Sequence, residues 1–297
     1  MRCEDVHGRP PDEPTYRRRD LLRGVGLLVG GTVGTVGLTE PSRAGSVTGG
    51  CLAAWPPPLA DRLDVSGTEA VVDGSLPDSG DLVLYVHGLF GEDIHEALDE
   101  GNGANQAAAL AQALTEELGS TALQVIPVMW NSTATYTLAK WRATAAGETL
   151  ADWLEDNAGD YRSVRLLAHS LGARVALHAL ERLETVTLHS VGLLGGGVSP
   201  RAICDTYADG ISAHATAVYN YRSTFDEVAC LAYAVREGTA ALGCVGPDCG
   251  SVSDSPPANF TDVDVSGSVI QHCNYFKPES MDFPGENSIP ELVDRQF

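Results

Sequence analysis

The stretch Ser163-Val164-Arg165-Leu166-Leu167-Ala168-His169-Ser170-Leu171-Gly172-Ala173-Arg174-Val175-Ala176-Leu177 passes from an apolar run to a helix-period pattern with no loop between them. A strand must give way to a helix within His169-Ser170-Leu171-Gly172. So sharp a turn holds its apex residue in a strained backbone conformation. Only small side chains two positions before and after the apex leave room for it. Ala168 and Gly172 hold those positions around Ser170. A strand running straight into a helix is also how parallel strands are connected.

The rest of the chain repeats this alternation. Asp81 to Val86 is almost wholly apolar, as a parallel strand buried on both faces should be, and it ends in His87-Gly88-Leu89-Phe90-Gly91. Helical spacing covers Ala104 to Leu118, and a second buried strand covers Leu123 to Trp130. A long helix is expected from Thr135 to Glu155, with Leu138, Trp141, Ala145, Leu150 and Leu154 near one stripe. The helix after Ser170 runs to about Arg182. Val186 to Leu194 then reads as a strand ending in Gly195-Gly196-Gly197. That glycine run lacks G-x-G-x-x-G spacing and reads as a tight turn near the site. Ala215 to Tyr221 is a further strand, and a helix follows from Glu227 to about Arg236. Residues 237–258 read as loop, and Ile289 to Arg295 as a short helix. Alternating strands and helices predict an α/β fold with a mostly parallel sheet and helices on both faces. One catalytic domain is expected over 81–297. Residues 45–80 precede it as a Pro-rich linker or N-terminal edge, with a strand near Glu69 to Asp73.

The formal charge of −21 argues against nucleic-acid binding, which needs a basic face. Lys140 and Lys277 are the only lysines, and the acids are spread along the chain. Dispersed acid with so little lysine resembles proteins of salt-loving archaea, where salt screens self-repulsion. An ordinary acidic secreted protein is the alternative. Arg18-Arg19-Asp20-Leu21-Leu22 precedes an uncharged run from Gly24 to Leu38. This resembles a twin-arginine signal over 1–44, to be read by the twin-arginine translocase, with a retained membrane anchor as the alternative. An extracytoplasmic location suits the cysteines. Cys51, Cys204, Cys230, Cys244, Cys249 and Cys273 would remain after cleavage and suggest disulfides, whose pairing the sequence leaves open. Cys244 and Cys249 bracket a Gly-Pro turn and would close a small loop. The C-x-x-C spacing of a zinc site is absent.

A serine hydroxyl attacks only when a base takes its proton and a third group orients that base. The Ser170 turn and the His87-Gly88 turn after the first core strand, with a late histidine, resemble the α/β-hydrolase superfamily on its lipase and esterase side. The resemblance covers most of 81–276. It implies the chain order Ser, acid, His. Asp226 is then the acid, leaving the strand that ends near Tyr221, although an N-cap role would also suit it. Glu227 and Asp205 are the runners-up. His272 is the base, since no other histidine follows Asp226. The oxyanion hole falls to the N–H groups of Leu171 and of Leu89 or Phe90, with Leu89 favoured. His87, His169, His178, His189 and His214 read as structural, and His95 as a residue lining the entrance. Cys273 would tether the His272 loop through a disulfide. Two departures from the family stand out: Ala168 replaces the usual Gly, and Gly195-Gly196-Gly197 is unusual after the sixth strand. The resemblance implies a hydrolase without a large cap, acting on a small or lipid-like ester with no metal or cofactor. An acyltransferase or peptidase on the same residues, or a non-catalytic surface-binding protein, stays open.

Overall fold

The computed structural model describes residues 55–89, 102–119, 123–250, 255–281 and 285–297. The chain divides into two units, Met1–Gly45 and Ser46–Phe297, and all of the described residues belong to the second. The expected export signal, Cys51, Phe90 and His95 lie outside the described residues.

The strands are β1 (Arg62–Asp64), β2 (Val71–Asp73), β3 (Asp81–Val86), β4 (Gln124–Met129), β5 (Ser163–His169), β6 (Ser190–Leu194), β7 (Val218–Arg222) and β8 (Phe260–Asp264). They form one sheet in the order β2-β1-β4-β3-β5-β6-β7-β8. The edge pair β1–β2 is antiparallel and every other pairing is parallel. The helices are α1 (Gly103–Leu118), α2 (Tyr136–Asn157), α3 (Gly172–Arg182), α4 (Ala208–His214), α5 (Tyr233–Glu237), α6 (Leu242–Val245) and α7 (Ile289–Gln296). A π-helical turn, Val228–Ala232, leads into α5.

Side chains of β3 show why this sheet is covered on both faces. Successive residues of a strand point to opposite sides. Leu82, Leu84 and Val86 pack in one core with α2 and α3. Val83 and Tyr85 pack in a second core with α1, α7 and the Tyr275-Phe276 pair. Leu84 is fully buried, so truncating it to Ala would cost about 2–5 kcal/mol.

Several expectations need correction. On α2 the predicted stripe holds only in its second half: Leu150 and Leu154 are buried as expected, but Leu138, Trp141 and Ala145 are exposed, and Ala139, Ala143, Ala146 and Gly147 are buried instead. The neighbour α3 comes so close that a Cβ on Gly147 would stand 2.7 Å from the His178 Cβ. Small residues therefore form the contact in the first half of α2, while Leu150, Trp153 and Leu154 bury large side chains in its second half. The strands expected at Val186 and Ala215 begin later, at Ser190 and Val218. Strands β1 and β8 and helix α4 lie where no element was assigned, and α6 interrupts the stretch 237–258 that was expected to be loop. Disulfides join Cys204 to Cys249 and Cys230 to Cys244, so Cys244 and Cys249 do not close a small loop together, and Cys273 is disulfide-bonded as well.

The topology also selects a location. From β3 the chain goes to β4 on one side, and then to β5 on the other. Ligand crevices of open parallel sheets form at such a reversal, beyond the carboxyl ends of the strands. The residues leaving β3 and β5 there are His87-Gly88-Leu89 and Ser170.

Candidate active site

Ser170 has φ of 55° and is the only non-glycine residue with positive φ among the described residues. An L-residue is strained there and persists only when its surroundings hold it. Three backbone bonds do so. The Ser170 amide donates to the Leu194 carbonyl at 3.0 Å, and its carbonyl accepts from Gly197 at 2.8 Å and Ala173 at 3.1 Å. Gly172 lets α3 start against β3, since a Cβ there would lie 2.5 Å from the Val86 carbonyl oxygen and 2.6 Å from that of His87. Ala168 is buried between β3 and β6, paired with Val86 and Leu193, and its one methyl group fits that position.

The turn after β3 stands directly beside Ser170: a Cβ on Gly88 would be 2.7 Å from the Ser170 Cβ. His87 holds this turn. Its ring stacks on Trp130, its Nδ1 donates to the Gly88 carbonyl at 2.9 Å, and its carbonyl accepts from Trp130 Nε1 at 2.8 Å. Among the described residues, no hydrogen-bond partner is found for the amides of Leu89 and Leu171. Gly197 keeps the front of the Leu171 amide open, because a Cβ there would come within 3.1 Å of that nitrogen.

Asp226 and His272 meet. Nδ1 of His272 lies 2.8 Å from Oδ2 and 2.9 Å from Oδ1 of Asp226, and Asp226 is fully buried. The amides of Val228 and Ala229 donate to Oδ1 at 3.0 and 2.9 Å, so the helix-capping role expected as an alternative coexists with the pairing. Tyr275 donates its hydroxyl to Oδ2 at 3.1 Å. Burial raises the Asp226 carboxyl pKa. The His272 charge and these hydrogen bonds outweigh burial and leave it below the ordinary carboxylate value. The acid loop is tied to the His272 loop by Ser223, whose Oγ donates to the Val269 carbonyl at 2.5 Å.

His169 joins this pair to Ser170, its neighbour in the chain. Its ring centroid is 4.5 Å from that of His272, and its Nε2 donates to the His272 carbonyl at 2.9 Å. Its Nδ1 is buried without a partner, and burial pulls its pKa down to about 3, so the ring is neutral. His169 thus positions the His272 backbone. The glycine run closes the assembly: Gly195, at φ 57°, lies under Asp226 and Tyr275, where a Cβ would be 2.8 Å from Oδ2 and 2.7 Å from the phenol ring.

The structure brings Ser170, Asp226, His272, Leu171 and Leu89 to the carboxyl end of the sheet. Tyr275, Ser223 and the positioning role of His169 were not anticipated. An aromatic close after His272 was the one visible signal for Tyr275.

This sheet, its crossover helices and its strained strand-to-helix serine define an α/β-hydrolase fold, with no large cap domain among the described residues. A family described as a protein of unknown function, DUF726, matches residues 91–199. No curated protein matches. Among solved structures the chain is similar to Est1E from Butyrivibrio proteoclasticus, at 12% identity and TM-score 0.40, covering 73% of this chain and 86% of that one. It is also similar to an esterase domain from Rhodothermus marinus, at 12% identity and TM-score 0.39, covering 72% and 83%. A cutinase-like protein from Cryptococcus is similar at 12% identity and TM-score 0.32, covering 67% and 79%.

Proposed function

We propose that this chain is a serine hydrolase of carboxylic esters. The observation that carries the reading is the strained Ser170 with two unpartnered amides, its chain neighbour His169 packed on the buried Asp226–His272 pair. Ser170 Oγ attacks the ester carbonyl carbon while His272 Nε2 takes its proton. Asp226 fixes the imidazole with Nδ1–H toward the carboxylate and stabilises the imidazolium. The Leu171 and Leu89 amides receive the negative oxygen of the tetrahedral intermediate. The alcohol leaves with the proton from His272, giving an acyl-Ser170 ester. Water then attacks that ester and passes a proton to His272, which returns it to Ser170 Oγ as the acyl bond breaks, releasing the carboxylic acid and restoring the Ser170 hydroxyl.

The proposal extends to export through the twin-arginine pathway and to work in high salt. Arg18 and Arg19 before an uncharged run support the first, and the −21 charge with two lysines supports the second. Labelling by a fluorophosphonate probe in high salt tests the enzyme reading. The expected outcome is labelling of the wild type that Ser170→Ala abolishes; failure of the folded wild type to label overturns it. Retention inside the cell of an Arg18→Lys/Arg19→Lys chain tests export.

A further inference from the structure

The segment after Asp226 forms a small unit of its own. Ala229, Tyr233, Ala241 and Cys244 make a separate apolar cluster against Tyr136, and Cys230–Cys244 staples it. The π-helical turn and α5 start next to the end of β7 and reach the start of α2, which follows β4. Tyr233 packs edge-on against Tyr136 at 6.4 Å, and Glu237 pairs with Lys140 at 2.6 Å. Strands β6, β5 and β3 lie between β7 and β4 in the sheet. Strand spacing puts β7 and β4 about 19 Å apart, and ten helical residues span about 15 Å. This helix therefore borders the crevice that holds Ser170.

Its outward face is unusual for so acidic a chain. Val228-Ala229-Cys230-Leu231-Ala232-Tyr233-Ala234-Val235 contains no charged residue, while the chain carries −21. Leu231 is 69% exposed and Val235 70% exposed, one helical turn apart. Phe225, beside the acid, is 61% exposed, and Trp141 on the adjoining α2 is 67% exposed. Leu231 and Val235 thus form an exposed apolar pair on one helix face at this rim, and exposed apolar side chains that adjoin one another, unlike ones scattered singly, mark an interaction surface.

We infer that this rim docks on the surface of lipid esters that carry no net charge, presenting their ester groups to Ser170. The charge decides the partner. High salt screens the −21 charge, and the uncharged segment 228–235, bounded by Glu227 and Arg236, offers neither an anionic nor a basic surface an ion pair of its own. An uncharged or zwitterionic lipid surface asks only for apolar insertion, to which Leu and Trp side chains are suited. The lipid-ester part rests on the hydrolase reading above; the docking part does not.

The test separates the two. The Ser170→Ala chain is sedimented in high salt with phosphatidylcholine vesicles, alongside a Ser170→Ala chain also carrying Leu231→Ser and Val235→Ser. The expected result is co-sedimentation of the first and a loss of about tenfold in bound fraction for the second, as removal of two inserted aliphatic side chains predicts. In the Ser170 background, Leu231→Ser/Val235→Ser should keep kcat/KM on dissolved p-nitrophenyl butyrate within about twofold, since exposed positions seldom disturb the fold. No vesicle binding, or equal binding by both chains, overturns the docking surface. So does a wild-type dimer that becomes a monomer with the two substitutions, which would make the rim a self-interface. A wild type inert toward p-nitrophenyl butyrate overturns the hydrolase reading, and the vesicle result still decides the rim.

Discussion

Tyr275 donates its hydroxyl to the same carboxylate oxygen of Asp226, at 3.1 Å, that lies 2.8 Å from Nδ1 of His272. Burial, with the Asp226 charge beside it, pushes the Tyr275 phenol well above its ordinary pKa, so it keeps its proton and can only donate here. Asp226→Asn would offer an amide that need not accept from Nδ1, leaving His272 in the wrong tautomer. The expected loss in kcat is roughly 10³- to 10⁴-fold, with KM little changed. Tyr275→Phe removes one donor among several and should lower kcat only about fivefold, the equivalent of about 1 kcal/mol. Steady-state hydrolysis of p-nitrophenyl butyrate measures both. Near-full activity in Asp226→Asn would assign the acid elsewhere.

Neighbouring glycines behind the site should differ sharply. A Cβ on Gly196 would meet only ordinary contacts, 3.4 Å from the Ala173 Cβ and 3.6 Å from the Leu193 Cβ. A Cβ on Gly195 would press on Asp226 and Tyr275 from a left-handed backbone. Gly196→Ala should keep its activity and its stability within about 1 kcal/mol, while Gly195→Ala should lose at least about 2 kcal/mol. Gly88→Ala, which would push a methyl into Ser170, should lose activity more than stability. Urea unfolding beside activity assays checks all three. Equal behaviour of the 195 and 196 variants would refute the assigned turn.

The sequence announced what depends on local pattern. The near-continuous apolar run of β3 is bounded at Asp81 and Val86 as expected, because a strand buried on both faces leaves few polar residues to blur its ends. The Ser170 turn was legible because its small flanks answer a local steric demand. On α2, Leu150 and Leu154 were read correctly, but the first half of the stripe was misread because the partner helix selects Ala and Gly for close approach there, and hydrophobic size then points the wrong way. Strand β8, Phe260–Asp264, has three of its five residues exposed and carries two acids, so it lacked an apolar signature. The Tyr275 bond to Asp226 joins residues 49 apart in the chain, and only the folded loops bring them together.

Acid should weaken the fold before it reaches the carboxylates. Burial lowers the His169 pKa from 6.5 to about 3, and that of His178 to about 4. A histidine kept neutral by folding contributes its full stability above the unfolded value of 6.5 and loses it as pH falls toward the folded value. Between pH 7.5 and 5 the expected loss from His169 alone is about 2 kcal/mol. His178 adds to it with the same sign and a smaller size, being partly exposed. Asp226, lowered from 3.8, contributes only below that window. Urea unfolding at the two pH values measures the loss, and a His169→Gln chain should show a shallower slope. An unchanged midpoint in the wild type would contradict the buried neutral ring.

Reduction should act on the site ahead of the sheet. Cys230–Cys244 staples the turn that follows Asp226, and Cys273, adjacent to His272, is also disulfide-bonded. Strands β3 to β7 contain no cysteine, so the sheet does not depend on these bonds. Opening the 14-residue separation of Cys230–Cys244 releases about 3 kcal/mol of loop entropy. The 45-residue separation of Cys204–Cys249 is worth about 4 kcal/mol on the same basis. If chain entropy were the whole effect, the second bond would matter more to every property. The structure separates the effects. Cys204→Ser/Cys249→Ser should lower the unfolding midpoint more, whereas Cys230→Ser/Cys244→Ser should lower kcat more, because only the latter frees the backbone that donates to Asp226. Circular dichroism followed beside ester hydrolysis during mild reduction should record activity falling first. Simultaneous loss of both signals would mean that the disulfides hold the whole fold and not the acid loop in particular.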